Sequence, residues 1–123
     1  MKLGKVVGFL PTTDATQSRA FFEGQLGLRF VSEDDYALAM ESNGTAIRIA
    51  KVQQFQPAPY TVLGWEVQKI EAVVTELIAR SVSFEQYPFI QNKELGIWAA
   101  PDGTKVAWFK DPLGNLLSVH EHS

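Results

Sequence analysis

Apolar runs and turn signals follow one another in an order that occurs twice along the chain, and this repetition restricts the accessible folds more than any other feature. Lys5–Leu10 is a short Val-containing run closed by Pro11, a pattern that suits a strand better than a helix. Asp14 then offers a helix N-cap, with Gln17 placed to complete a capping box. Phe21, Phe22 and Leu26 recur at helical spacing until Gly27 stops the pattern. Arg29–Ser32, Tyr36–Glu41 and Thr45–Val52 read as strands, the last two joined by Asn43-Gly44, the strongest two-residue hairpin signal. Gln53–Pro59, with its prolines and glutamines, reads as a linker.

Beyond the linker the series restarts. Thr61–Val67 reads as a strand, and Ile70, Val73, Val74, Leu77 and Ile78 carry the spacing of an amphipathic helix. Ser83–Tyr87, Leu95–Ala100, Thr104–Lys110 and Leu116–Glu121 follow as short strands, with turns at Asp102-Gly103 and Pro112-Leu113-Gly114. The second half thus repeats the first with an extra hairpin. Val7–Asp14 aligns with Val62–Lys69 ahead of each helix, and Phe30 with Phe84 after it. Identities are few, so the order of elements carries the argument.

A length of 123 residues fits one domain, or two half-size modules around one core. With 46% hydrophobic and 20% charged residues the composition excludes extensive disorder. The net charge of -3 and scattered basic residues argue against nucleic acid as a partner. The chain has no cysteine, which removes disulfides, thiolate metal sites and a thiol nucleophile, and suits a reducing cytoplasm. No uncharged apolar run reaches the roughly 18 residues of a membrane helix, and the N-terminus reads as a strand rather than a leader. A soluble, unprocessed cytoplasmic protein is the expectation.

Several local features sharpen this reading. The Asp-capped helix contains Ser18 and Phe21-Phe22 and is followed by Leu26-Gly27-Leu28; the last hairpin turns at Asp111-Pro112-Leu113-Gly114-Asn115, directly after Trp108-Phe109-Lys110. In this order the chain resembles, over essentially its whole length, the vicinal oxygen chelate superfamily. That superfamily includes glyoxalase I, extradiol dioxygenases, fosfomycin-resistance proteins and bleomycin-binding proteins. The resemblance implies an α+β fold of two βαβββ modules, about 1–52 and 60–123 with linker 53–59, whose curved mixed sheets enclose a cup. Function stays open within such a fold.

The resemblance also implies where a divalent metal would be held in enzymatic members: on the first and last strand of each module. Those places fall here on Val7, Arg48, Val62 and Ser118. Gly44 precedes Arg48, and Gly114 precedes Ser118, by the same interval, which keeps the assignment consistent. Divalent metals need imidazole, carboxylate or thiolate donors, and a guanidinium repels them. No metal and no cofactor are therefore expected, and a metal found in the protein would put His120 and Glu66 at the head of the ligand list.

Among the remaining candidates, Arg48 either grips an anionic ligand or pairs with Glu66, which falls on the cup face of the strand carrying Val62 and Gly64. Trp98 and Trp108, with Phe9 and Tyr60, form either the aromatic wall of a pocket or ordinary packing. Trp108 stands where fosfomycin-resistance relatives place a substrate-contacting aromatic, while Trp65 faces the helix and reads as core. His120 and His122, spaced by two, either place both rings on one strand face or lie as two solvated imidazoles in a frayed C-terminal tail; His120, which shares a face with Ser118, keeps interest as a general base. Glu33-Asp34-Asp35 reads as a solvated turn, as do Lys93 and Glu94, and Pro88–Lys93 as a mobile rim.

The leading expectation is a metal-independent protein of the bleomycin-resistance type that binds a small planar or anionic molecule through Arg48, Trp98 and Trp108. An isomerase, lyase or dioxygenase with a non-standard metal site or none, and a regulatory protein with a vestigial cup, stand as alternatives. Exposed sheet edges favour a homodimer.

Overall fold

The computed structural model describes all 123 residues, and its first strand, β1 (Val7–Thr12), runs through Pro11 rather than ending at it. The reason is position in the sheet. The first unit, Met1–Gln56, contains β1, β2 (Arg29–Glu33), β3 (Ala37–Ser42) and β4 (Thr45–Lys51) in the order β1-β4-β3-β2. As an edge strand, parallel to β4, β1 tolerates a residue with no N–H to donate. The other two pairings are antiparallel, and β3 turns into β4 through Asn43 and Gly44, both at positive φ, as a tight primed turn requires.

The first helix starts at its expected cap and then departs from the expected winding. Helix α1 (Ala15–Arg19) is capped by Asp14, whose Oδ1 accepts from the Gln17 N–H at 3.1 Å. Gln17 does not close a capping box: its amide donates to Asp14 Oδ2, while the Asp14 N–H donates to Thr12 Oγ1. From Ala20 to Gln25 the chain continues as a π-helix, with the Leu26 N–H reaching back to the Phe21 carbonyl. This wider winding turns less per residue and keeps the adjacent Phe21 and Phe22 close to one face. Both rings are buried, edge to face at 5.1 Å.

The second unit, Pro57–Ser123, has β5 (Leu63–Glu66), α2 (Ile70–Ala79), β6 (Ile97–Ala99), β7 (Lys105–Lys110) and β8 (Leu116–Glu121), with sheet order β5-β8-β7-β6. The α2 N-terminus receives no side-chain cap from Lys69. Glu121 supplies it instead, its Oε1 accepting from the Ile70 N–H at 2.8 Å. On the helix side of the sheet lie Leu117, Val119, Ala107 and Phe109, all buried, and Trp65 stacks near Phe109 as its strand parity predicts.

The two units share one register. Phe9, Arg48 and Ala39 form a paired row in the first; Gly64, Ser118 and Trp108 form the corresponding row in the second. Asp14 and Lys69 occupy the same N-cap position, and Phe30 opposite Met40 matches Phe84 opposite Phe109. This is the alignment read from the sequence.

Ser83–Tyr87 is not the strand expected of it. Phe84 makes a single bridge to Phe109, the Glu85 N–H donates to the Trp108 carbonyl at 2.8 Å, and the chain then leaves the sheet. It returns at Ile97, opposite Ala107. One edge strand is therefore laid in two pieces with 85–96 looped out between them, and the hairpin counted as extra is that strand's second piece paired with β7. Pro88, which cannot donate to a ladder, and the buried Ile90 hold the excursion away from strand geometry. No helix is long and apolar enough to cross a membrane.

Candidate functional site

Strand alternation divides the second sheet into the face under α2 and a face away from it. On the latter, Trp108 pairs with Ser118 and Ser118 in turn with Gly64, and the next row joins Trp98, Val106, His120 and Glu66. Trp98 and Trp108 are 6.1 Å apart between ring centroids. The looped-out segment brings two more rings to them. Phe89 lies edge to face with Trp98 at 5.9 Å and with Trp108 at 5.8 Å, and Tyr87 stacks on Phe89 and meets Trp108 at 5.5 Å. Such pairings contribute about 0.5–1.5 kcal/mol each beyond area burial.

The segment is fixed by its own polar groups. The Gln91 side-chain amide accepts from the Ala99 N–H and donates to the Ala99 carbonyl, both at 3.0 Å, in the manner of a neighbouring strand. Lys93 Nζ donates to the Tyr87 carbonyl, and Gln86 to the Lys93 carbonyl, at 3.0 Å each. These bonds hold the stretch Pro88–Lys93, the rim expected from the sequence, beside the tryptophans. With Tyr60, Thr61 and Leu116 the rings of Tyr87, Phe89 and Trp108 line an open depression of about 350 Å³. Phe89 is 53% exposed, unusual for a ring already in contact with three others.

Ser118 is 6% exposed and sits against Gly64, where an added Cβ would lie 2.7 Å from Ser118 Oγ and 3.3 Å from its carbonyl oxygen. Gly64→Ala is accordingly expected to destabilise the protein by about 1–3 kcal/mol, the usual range for overpacking. Adding Ser118→Ala should recover most of that loss, as read by chemical denaturation of the single and double variants.

At the other end of the same face, Glu66 pairs directly with His120 across β5 and β8, and His122 follows on the same side of the chain. Glu66 Oε1 is 3.3 Å from His122 Nε2. His122, just past the end of β8, is largely exposed and close to both Glu66 and His120. In the first unit, Arg48 is half-buried and pairs with Phe9, which is 64% exposed. The acidic turn beside it is ordered: Asp34 accepts from the Tyr36 and Ala37 N–H groups, which hold its carboxyl below the usual range, with smaller pulls from Arg48 and Lys51.

Of the residues singled out in the sequence, the structure brings Trp98, Trp108 and Tyr60 to the aromatic depression or its wall, and Glu66 and His120 to one cluster. Ser118 lies in the row between. Sequence reasoning missed Tyr87 and Phe89, for which the two aromatics flanking Pro88 were the available signal; the spacing of His120 and His122 did suggest two rings on one face, but not that Glu66 would meet His122.

Neither a family model nor a curated protein matches the sequence. Solved structures do match. A protein assigned to the glyoxalase family from Bacillus anthracis superposes with a TM-score of 0.76 at 19% identity, over 100% of this chain and 98% of that one. The fold is that of the glyoxalase/bleomycin resistance/dioxygenase proteins. A protein of that composite description from Alicyclobacillus acidocaldarius gives 0.74 at 12% identity, over 97% of this chain and 91% of its own. Lactoylglutathione lyase from Agrobacterium tumefaciens gives 0.73 at 14%, over 98% and 95%. At these identities the likeness establishes the fold.

The metal positions implied by this fold can be tested on the side chains present. Val7 and Val62 carry no donor atom, Arg48 carries a fixed positive charge, and Ser118 is a neutral, buried hydroxyl. This donor set does not fit a divalent cation.

Proposed function

We propose that this protein binds a small planar molecule against Trp108, in the depression that Tyr87, Phe89 and Tyr60 also line. The observation that carries the reading is Phe89, a large ring held half-exposed by a hydrogen-bonded loop at the edge of a concave aromatic surface. A depression of about 350 Å³ falls in the lower range of small-molecule sites, and flat rings pair with Trp and Tyr faces by stacking and apolar burial. The grip is made of rings, and the side chains at the fold's metal positions favour this over a metal-dependent isomerase, lyase or dioxygenase. An anionic substituent on the ligand has no cation among the residues lining this depression, so planarity is the property proposed.

The test is titration of a panel of fused-ring aromatics, neutral and charged, followed by calorimetry or tryptophan quenching. Trp108→Ala is expected to weaken every binder by about 1.5–3 kcal/mol, from lost stacking and apolar area together, while Trp108→Phe keeps most of the affinity. Failure of the whole panel to bind, or binding indifferent to Trp108→Ala, would refute the reading.

A further inference from the structure

The geometry points to a second site on the same sheet face, separate from the aromatic depression: Glu66, His120 and His122 form a three-donor site for one transition-metal dication of the zinc or nickel type. The site is set by strand register. Glu66 and His120 are direct partners across the parallel β5–β8 pair, so their side chains leave the sheet on the same side. The Val67 N–H donates to the His120 carbonyl at 2.8 Å and extends this pairing past the end of β5. His122, two residues on, projects to that side as well, its ring 5.0 Å from the His120 ring. One ligand atom from each of the three residues lies within 4.8 Å of the other two.

A zinc ion bound at about 2.0–2.2 Å from nitrogen and oxygen donors needs those donors roughly 3.3 Å apart in a tetrahedral arrangement. The Glu66 and His122 side chains are 67% and 64% exposed, and Nε2 of His122 is already 3.3 Å from Oε1 of Glu66. Rotation of unpacked side chains closes the rest, with no movement of the sheet. Two imidazoles and one carboxylate suit a borderline ion and disfavour calcium or magnesium, which take oxygen ligands. Asp102 lies near enough to His122 for the two to interact electrostatically, which adds negative potential at the rim. Three protein donors leave at least one coordination position for water or for an added ligand.

This site is not the one the fold implies. It stands one alternation beyond Ser118 on β8 and two beyond Val62 on β5, on the opposite side of the Ser118–Gly64 row from Leu116. It is also independent of the proposed aromatic ligand, because none of its donors lines the depression.

The test uses the full chain without an affinity tag, titrated with zinc chloride in a non-chelating buffer, and then cobalt-loaded for visible absorption. His120 and His122 are the only histidines and there is no cysteine, so few other strong donors compete. One zinc per chain is expected, with no heat from calcium at the same concentration. His122→Ala and Glu66→Gln should each weaken zinc by at least about 10- to 100-fold, the loss seen even for outer-sphere partners of metal ligands, and bleach the cobalt bands. Their circular dichroism should match the wild type, since both side chains are exposed. Absence of zinc uptake by the wild type, or uptake that survives the double variant His120→Ala/His122→Ala, would overturn the proposal. Half a zinc per chain, with the mass doubling on zinc addition, would replace the single-chain site by a bridge between two copies.

Discussion

Phe109→Ala is expected to lower the unfolding free energy by about 3–5 kcal/mol, the range for removing a fully buried aromatic ring. Phe109 is entirely buried on the helix side of β7, 5.3 Å from Phe84 and 6.5 Å from Trp65 between centroids. Its truncation removes the surface on which both rings rest and leaves a void that the backbone ladder prevents from closing. The melting temperature should fall by roughly 10–20 °C, given the entropy of unfolding of a domain of this size. Phe109→Leu, which refills most of the volume, should cost about 1.5 kcal/mol. Because Trp108 is the adjacent residue on the same strand, loosening of β7 in Phe109→Ala should also weaken any aromatic ligand. Ligand titration of folded Phe109→Leu separates the two effects: binding close to wild type there places the role of Phe109 in support of the strand.

The second large effect is expected at Asp111. Its Oδ1 accepts from the Leu113 N–H at 3.0 Å and the Asn115 N–H at 2.9 Å, and its Oδ2 accepts from the Asn115 side-chain amide at 2.8 Å. Burial pushes this carboxyl above the ordinary carboxylate range, against the pull of those same donors. Asp111→Ala removes the acceptor from three hydrogen bonds, two of them donated by buried Asn115, at a cost of about 3 kcal/mol at about 1 kcal/mol each. Asp111→Asn keeps one acceptor and should lose about half as much. Gly114, at φ +94, completes the turn into β8, so the defect has a local readout: hydrogen exchange at the Asn115 amide should accelerate before exchange elsewhere in the strand. An Asn115 amide as protected in Asp111→Ala as in the wild type would show that the turn does not depend on the carboxylate.

Much of this fold was legible because its signals are periodic. Alternation placed Ile47 and Ile49 opposite Arg48, and Leu117 and Val119 opposite Ser118, and Asn43-Gly44 and the Asp111–Asn115 turn fixed where β4 and β8 begin. Repetition then supplied the pairing of modules, since Asp14 and Lys69 cap equivalent helices. What escaped was aperiodic or non-local. Ser83–Tyr87 alternates like a strand, yet one bridge at Phe84 is all the ladder it makes, because Pro88 and the burial of Ile90 govern the course beyond. Nothing in the spacing of Tyr87 and Phe89 states that a loop will fold them onto Trp108. Glu66 and His120 could be named from the sequence as alternative ligands, but that they meet each other and His122 depends on the register between β5 and β8, which a parallel pair sets through packing rather than through a turn. The π-helical winding at Ala20–Gln25 was equally hidden, since adjacent phenylalanines satisfy either helix.

The Gln91 amide that occupies both backbone groups of Ala99 has a consequence for how the molecule behaves in a crowd of its own copies. A sheet margin with free amides and carbonyls templates the growth of further strands, and soluble β-proteins blunt such margins in various ways. Here a side chain plays the part of the missing neighbour, at the point where β6 would otherwise continue the sheet outward. The same side chain helps tether the aromatic loop beside the Gln86 and Lys93 bonds, so the cover of this margin and the shape of the binding surface share one glutamine. A natural variant that remodelled the loop to accept a different ligand would therefore have to find another way to protect this margin.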